Sequence, residues 1–508
     1  MELKKMIKGY EDMMPIVVAF VAVFLWFLLV RRLKAKSKYP SPPAVPGLPI
    51  IGNLLQLKEK KPYKTFTKWA ETYGPIYSIK TGANTMVVLN NSEVVKEAMV
   101  TKYSSISSRK LSNALKILTH DKCMVAISDY NDFHKTVKRF ILASLLGPAA
   151  QKRLRNNRDT MIANCTTQMH AHVKNNPGQA LNFRSIFQSE LFGIAMKQAV
   201  GRDLESLYVP EFGHSVTRHE LLEILVTAPM EGAIEVDWRD FFPYLRWVPN
   251  KRVEDKINTM DFRRDAVMRA LINEQRKRFD TAGEDEKQCF LYYLLEHGKN
   301  LKEKQLQILL WEPIIETSDT TMVTTEWAMY ELGKDPVRQE RLYNEITKVC
   351  GSNTVTEDML SQIPYLTAVF HETLRYHNPV AVVPLRYVHE DTELGGYNIP
   401  AGTEIAINLY GCNMDKKQWE NADKWLPQRF LDPKYDPMDL HKTMAFGGGK
   451  RVCAGALQAS LIACAALGRF VQEFEWSLKP GEEEDVDTVG LTTLKLRPLH
   501  VVMKPRKC

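Results

Sequence analysis

Cys453 stands in the stretch Phe446-Gly447-Gly448-Gly449-Lys450-Arg451-Val452-Cys453-Ala454-Gly455, a glycine-rich loop that hands one sulfur to an apolar run, Ala456 to Phe474. Glycines let the backbone turn tightly and bring its N–H groups close to whatever the sulfur holds. A cysteine at a helix start, with Arg451 nearby, is biased toward thiolate, the form that ligates metal. Gly-Gly-Gly-Lys also looks like a phosphate loop, but that loop needs Ser or Thr after the Lys, and Arg451 stands there. The plain reading of a lone cysteine is an inert buried residue beside a flexible turn.

A second constellation is Glu316-Thr317-Ser318-Asp319-Thr320-Thr321. An acid next to an alcohol on an otherwise apolar helix, Asp319 with Thr320, can pass protons into a buried site; a polar cap or a back-bonded Thr is the bland alternative. A third is Glu372-Thr373-Leu374-Arg375, whose charges lie three residues apart and so share a helix face. By itself such a pair is worth little at a surface.

These residues need elements to carry them. Lys304 to Leu332 reads as one long helix with apolar positions at Leu306, Leu309, Leu310, Ile314 and Ile315, kinked or opened at Pro313. Ala456 to Phe474 reads as a buried helix. Ile76 to Lys80 and Thr85 to Leu89 alternate as two short strands, and Asn378 to Arg386 leaves a helix to become a third. Asp129 to Phe140 is a basic helix carrying His134 and Lys138. Ser104 to Ile127 is rich in Ser and Lys and reads as a loop. Glu190 to Arg278 reads as several helices with an aromatic patch at Trp238, Phe241, Phe242, Tyr244 and Trp247.

With 508 residues, 44% hydrophobic and 25% charged, the chain is long enough for about three domains of roughly 150 residues, yet it shows no internal linker or repeat. One large domain is the better reading. Eight cysteines, scattered singly, argue against a disulfide framework or structural zinc and fit a reducing, cytosol-facing location. Met14 to Val30 is a nearly uncharged apolar run just long enough to span a bilayer. Arg31, Arg32, Lys34, Lys36 and Lys38 follow it, place that side in the cytosol, and suit an anionic membrane surface better than nucleic acid. No nucleic-acid module is present in the sequence. The expected organisation is an anchor with its basic flank over 1–38, a stiff proline-rich hinge over 39–53, and a single catalytic domain over 54–508.

The pattern Phe-x-x-Gly-x-Arg-x-Cys-x-Gly fixes five positions, which chance would match in such a chain on the order of once in ten thousand. It is the signature of the cytochrome P-450 superfamily, which this chain resembles from end to end. The resemblance implies a mostly α fold with a small β-region and haem b held between the long helix and the Cys453 loop. It implies Cys453 as iron ligand, Arg451 and Arg386 as propionate partners and Phe446 packed beside the sulfur. His134 and Lys138 stand where the family has Trp and Arg on a helix that contacts the propionates. Glu372, Arg375 and Arg429, the last from Pro427-Gln428-Arg429-Phe430, would form a buried structural triad. Asp319 and Thr320 match the family's acid–alcohol pair, but Glu316 and Thr317 replace its Ala/Gly-Gly, so the usual dioxygen groove is altered. Thr317, Val380, Val382, Val383 and Leu491 would touch substrate.

The implied activity is mono-oxygenation with dioxygen and with electrons from a membrane-bound NADPH-dependent reductase. Within the superfamily, the Glu316 run, Asp129-Tyr130-Asn131-Asp132-Phe133-His134-Lys135 and the Cys453 loop are similar to plant enzymes that oxidise one methyl of an apolar tetracyclic diterpene. The endoplasmic reticulum is the default membrane and the plastid outer envelope the alternative. A reductase-independent haem-thiolate isomerase or lyase would not need the Asp319–Thr320 pair. A non-catalytic membrane haem protein is the third reading.

Overall fold

The computed structural model describes residues 39–57, 61–278, 280–281, 283–434, 443–483, 487–489 and 491–506. The expected anchor, Met14 to Val30, lies outside the described residues. Among the described residues no helix is long and apolar enough to cross a membrane.

Helices dominate. Those that build the centre are α1 (Asp132–Ile141), α2 (Phe183–Val200), α3 (Glu303–Lys334), α4 (Pro364–Tyr376) and α5 (Ala456–Glu473). The axis of the molecule is α3, 32 residues long and continuous through Pro313. Its N-terminal half, with Leu309, Leu310 and Ile314, packs with Leu145, Leu225 and Ile272 in one apolar core. Its C-terminal half, with Met322, Val323 and Trp327, packs against Phe187 of α2, Val369 of α4 and Phe470 of α5 in a second. The polar turn from Glu316 to Thr321 falls between the two cores. A largely apolar helix must be buried, and the run of six consecutive polar residues marks where it meets something other than apolar core.

The small β-region contains a five-stranded sheet of β1 (Ile76–Thr81), β2 (Asn84–Leu89), β3 (Ser108–Arg109), β4 (Val382–Tyr387) and β5 (Glu404–Asn408), in the order β1-β2-β5-β4-β3. Only β2 and β5 pair in parallel; their residues are nearly all buried, as strands covered on both faces require. The proline-rich segment is tied to this sheet: Ser78 N–H donates to Pro43 and Val45 N–H to Ser78, at 2.7 and 2.9 Å. The Ser104 to Ile127 segment, expected as a loop, holds two short helices and β3. All seven cysteines among the described residues are free.

Candidate active site

The Cys453 loop is a sequence of tight turns. Cys453 N–H donates to the Phe446 carbonyl at 2.9 Å, closing the loop on itself just before α5. Gly447 and Gly449 both have φ near the left-handed region, +71° and +64°. A Cβ on Gly449 would collide with the Met99 carbonyl, so glycine is required there twice over. Phe446 stacks on Phe370 of α4, ring centroids 6.5 Å apart. Lys138 of α1 donates to the carbonyls of Lys450 and Val452 at 3.1 and 3.2 Å, fastening the loop from outside.

Between this loop and α3 lies a cavity lined by Cys453, Phe446, Thr317, Thr320, Val380 and Val383, among others. Cys453 is accessible, and the accessible face is the one turned to the cavity. Deep placement nevertheless pushes its thiol up to about 11, because burial outweighs the N–H groups of Gly455 and Ala456 and the charge of Lys138. A thiol gives up its proton when it ligates a metal.

Three arginines converge on one side of the cavity. Arg386 is 2% exposed, and its Nε and Nη1 have no protein acceptor; Arg451 Nε and Nη1 are likewise buried and unaccepted. Arg451 Nη2 donates to the Ser128 carbonyl. Arg109 donates to the carbonyls of Ala126 and Pro384, at 3.2 and 2.6 Å. Burial lowers Arg386 and Arg451 to about 10, with Arg451 repelling Arg386. Both stay charged near neutral pH. His134 sits beside them, 2% exposed, its Nδ1 2.9 Å from Ser128 Oγ and its Nε2 without a partner. Burial, then Arg451, lowers it to about 4, so it is neutral at pH 7.

The α3 turn divides its residues. Thr320 lines the cavity, its Oγ1 3.4 Å from the Glu316 carbonyl. Asp319 does not line it; its carboxyl hydrogen-bonds Thr492, and Oδ2 is buried without a partner. Burial raises Asp319 to about 6, against lowering by Thr492 and Arg184. Ser318 is back-bonded to the Ile314 carbonyl at 2.7 Å and fully buried. Thr317 Oγ1 accepts from Gln458 Nε2 of α5 at 3.2 Å.

On β4, Val383 and Arg386 both reach the cavity although they are three residues apart, whereas strict alternation would put them on opposite faces. The cause is a bulge: Arg386 pairs with Ile405 and Val383 with Ile407, three residues on β4 against two on β5. Val382 instead packs with Phe66 and Tyr77 on the other side, and Leu491 is 42% exposed and away from the lining.

Glu372 is fully buried and accepts from Arg375 Nε and Nη2 at 2.8 and 2.7 Å and from Arg429 Nε at 3.1 Å. Arg375 then donates to the carbonyls of Asn413, Ala422 and Lys424. A buried ion group tolerates desolvation only when its remaining hydrogen-bonding positions are filled this way.

Comparison with known proteins agrees with this geometry. The cytochrome P450 family model matches residues 42–502. The chain belongs to the cytochrome P450 family. An ent-kaurene oxidase of Salvia miltiorrhiza is 61% identical over 96% of this chain and 95% of the relative. Ent-kaurene oxidase 2 of Oryza sativa subsp. japonica is 59% identical over 93% of each. Ent-sandaracopimaradiene 3-hydroxylase, also from that rice, is 53% identical over 92% of this chain and 91% of the relative.

Haem b is the prosthetic group of this family, and the residues present fit it. An accessible sulfur faces the cavity, the walls are largely apolar, and Arg386 and Arg451 offer four buried donor nitrogens suited to two propionates. Local patterning did not disclose Arg109, which only the sheet brings to Arg386, or Gln458. Glu312 had a signal that went unused: with Glu316 it makes two acids at i, i+4 on an apolar helix.

Proposed function

We propose that this cytochrome P450 mono-oxygenase is an ent-kaurene oxidase, converting ent-kaurene by three successive oxidations of one methyl group to ent-kaurenoic acid, a gibberellin precursor. The carrying observation is identity near 60% across almost the whole length to two proteins so named. A largely apolar cavity supports it, since a hydrocarbon offers no polar handle and must be held by shape. Each oxidation takes one dioxygen, two electrons and two protons; the steps to the alcohol and to the acid each release one water, and the step to the aldehyde, in which a gem-diol loses water, releases two.

Haem b, when bound, supplies a thiolate-ligated iron able to activate dioxygen against an unactivated C–H bond. Cys453 would hold its iron, with Arg386, Arg451 and Arg109 placed to meet its propionates. His134 adds one neutral donor there; Lys138 is engaged with the Cys453 loop. Thr320 Oγ1 would be the last protein group to deliver a proton into the cavity. Asp319, poised at about 6, can exchange protons near neutral pH and would recharge it. Val380 and Val383 supply shape against the substrate, with Thr317 fixed by Gln458.

Electrons come from a separate NADPH-dependent reductase, for which a groove lined by Lys135, Arg139 and Lys450 beside the Cys453 loop offers a basic landing face. The enzyme would sit on the endoplasmic reticulum, or on the plastid outer envelope, with its catalytic domain in the cytosol. Exposed Ile50 and Trp247, 78% and 80% accessible, support a membrane-facing surface. Their segments adjoin through Gly82, hydrogen-bonded to Ile51, and Ala83, bonded to Phe241.

Microsomes carrying the protein and a plant reductase should turn ent-kaurene, with NADPH, into the alcohol, aldehyde and acid seen by mass spectrometry. No product from ent-kaurene, with hydroxylation of ent-sandaracopimaradiene instead, would replace this reading by that of the 53% identical relative.

A further inference from the structure

Glu312 and Glu316 occupy successive turns of α3 and are the only acidic side chains lining the cavity among the described residues. Their carboxyls hydrogen-bond each other. Glu312 is anchored from behind: 1% exposed, it accepts the N–H groups of Val125 and Ala126, each at 2.8 Å. Glu316 is the member with accessible surface, turned into the cavity. A carboxyl–carboxyl contact needs a proton between the groups. Burial and the neighbouring Glu312 push Glu316 well above the usual carboxylate range, so it keeps one to donate. Thr320, one turn further along, lines the same space.

Glu312 is compensated by the Val125 and Ala126 N–H groups, but Glu316 in a pocket meant for a hydrocarbon is a cost without a return, because the substrate cannot compensate its desolvation. The return must come from another species in the reaction sequence. Of the four compounds in the proposed conversion, only the first lacks oxygen; the alcohol and the aldehyde can both bond to a carboxyl group.

We propose that Glu316, braced by Glu312, is the positioning residue for the oxygenated intermediates, hydrogen-bonding the primary alcohol and then the aldehyde so that they remain in the cavity until the acid is made. The inference rests on the ent-kaurene reading above. Glu316 thereby makes the enzyme processive.

The test compares wild type, Glu316→Leu and Glu316→Gln as holoenzymes in reductase-containing microsomes, with the reduced carbonyl spectrum counting correctly ligated protein. Spectral titration of Glu316→Leu should leave ent-kaurene affinity unchanged and weaken the alcohol about tenfold, the worth of one lost hydrogen bond. Its products should shift from acid to released alcohol, and Glu316→Gln, which can still donate, should restore the acid. For the wild type alone, labelled ent-kaurene given with a pool of unlabelled alcohol should yield acid of undiluted label. Full dilution by the pool, or equal weakening of hydrocarbon and alcohol in Glu316→Leu, overturns the role of Glu316 while leaving the ent-kaurene reading intact. A wild type that does not oxidise ent-kaurene removes the reading and this inference together.

Discussion

Arg386 and Arg451 both line the same cavity, each with two buried guanidinium nitrogens that have no protein acceptor. Two cations held this way, repelling each other, are explained by an anionic partner. Replacing either by Met should speed haem loss to an excess apoprotein scavenger by about tenfold to a hundredfold, the worth of a charge-assisted hydrogen bond. Arg386→Lys should recover only part, lacking the planar fork. Unaltered transfer rates in both Met variants would exclude propionate binding there.

Lys138 lines the cavity and donates to the Lys450 and Val452 carbonyls, which favours a role in bracing the loop over one in holding the anion. Lys138→Met should therefore loosen sulfur ligation, with the thiolate-type band of the reduced carbonyl complex decaying faster. Haem transfer should change far less than in the arginine variants. The reverse order of effects would return Lys138 to a propionate role.

Glu372→Gln leaves two buried arginine charges without their carboxylate. A cost of about 3–5 kcal/mol follows from breaking a buried pair on one side. Little holoprotein should be recovered, and what is recovered should denature at markedly lower denaturant. The double replacement of Glu372 and Arg375 should cost less than the sum of the singles.

Asp319 carries a stability–pH signature. Its folded value, about 6, lies above the ordinary 3.8, so the folded chain binds more protons between those limits. Its favourable contribution is complete below pH 3.8 and is lost as pH rises through 6. Asp319→Asn should thus be more stable than wild type at pH 7.5, by up to about 3 kcal/mol, and indistinguishable at pH 4. Thermal unfolding at the two pH values decides it.

Thr320→Ala should leave ent-kaurene binding intact yet raise hydrogen peroxide released per NADPH consumed, several-fold within the range general acid catalysis contributes. Unchanged coupling would remove Thr320 from the proton path.

What the sequence determined by itself was whatever spacing along one element can encode. Cys453 in its glycine loop and Glu372 beside Arg375 are local relations, legible because three or four residues on a helix or in a tight turn fix their own geometry. The long helix was legible for the same reason, its bounds shifting by only one or two residues at each end. Tertiary structure alone decided the rest. A bulge opposite Ile405 and Ile407 sends Val383 and Arg386 to one side and Val382 to the other, and no alternation rule foresees it. Arg109 meets Arg386 only through pairing of β3 with β4, and Glu312 finds Val125 and Ala126 across 186 to 187 residues of chain. Such contacts join groups far apart along the chain, which no local spacing encodes.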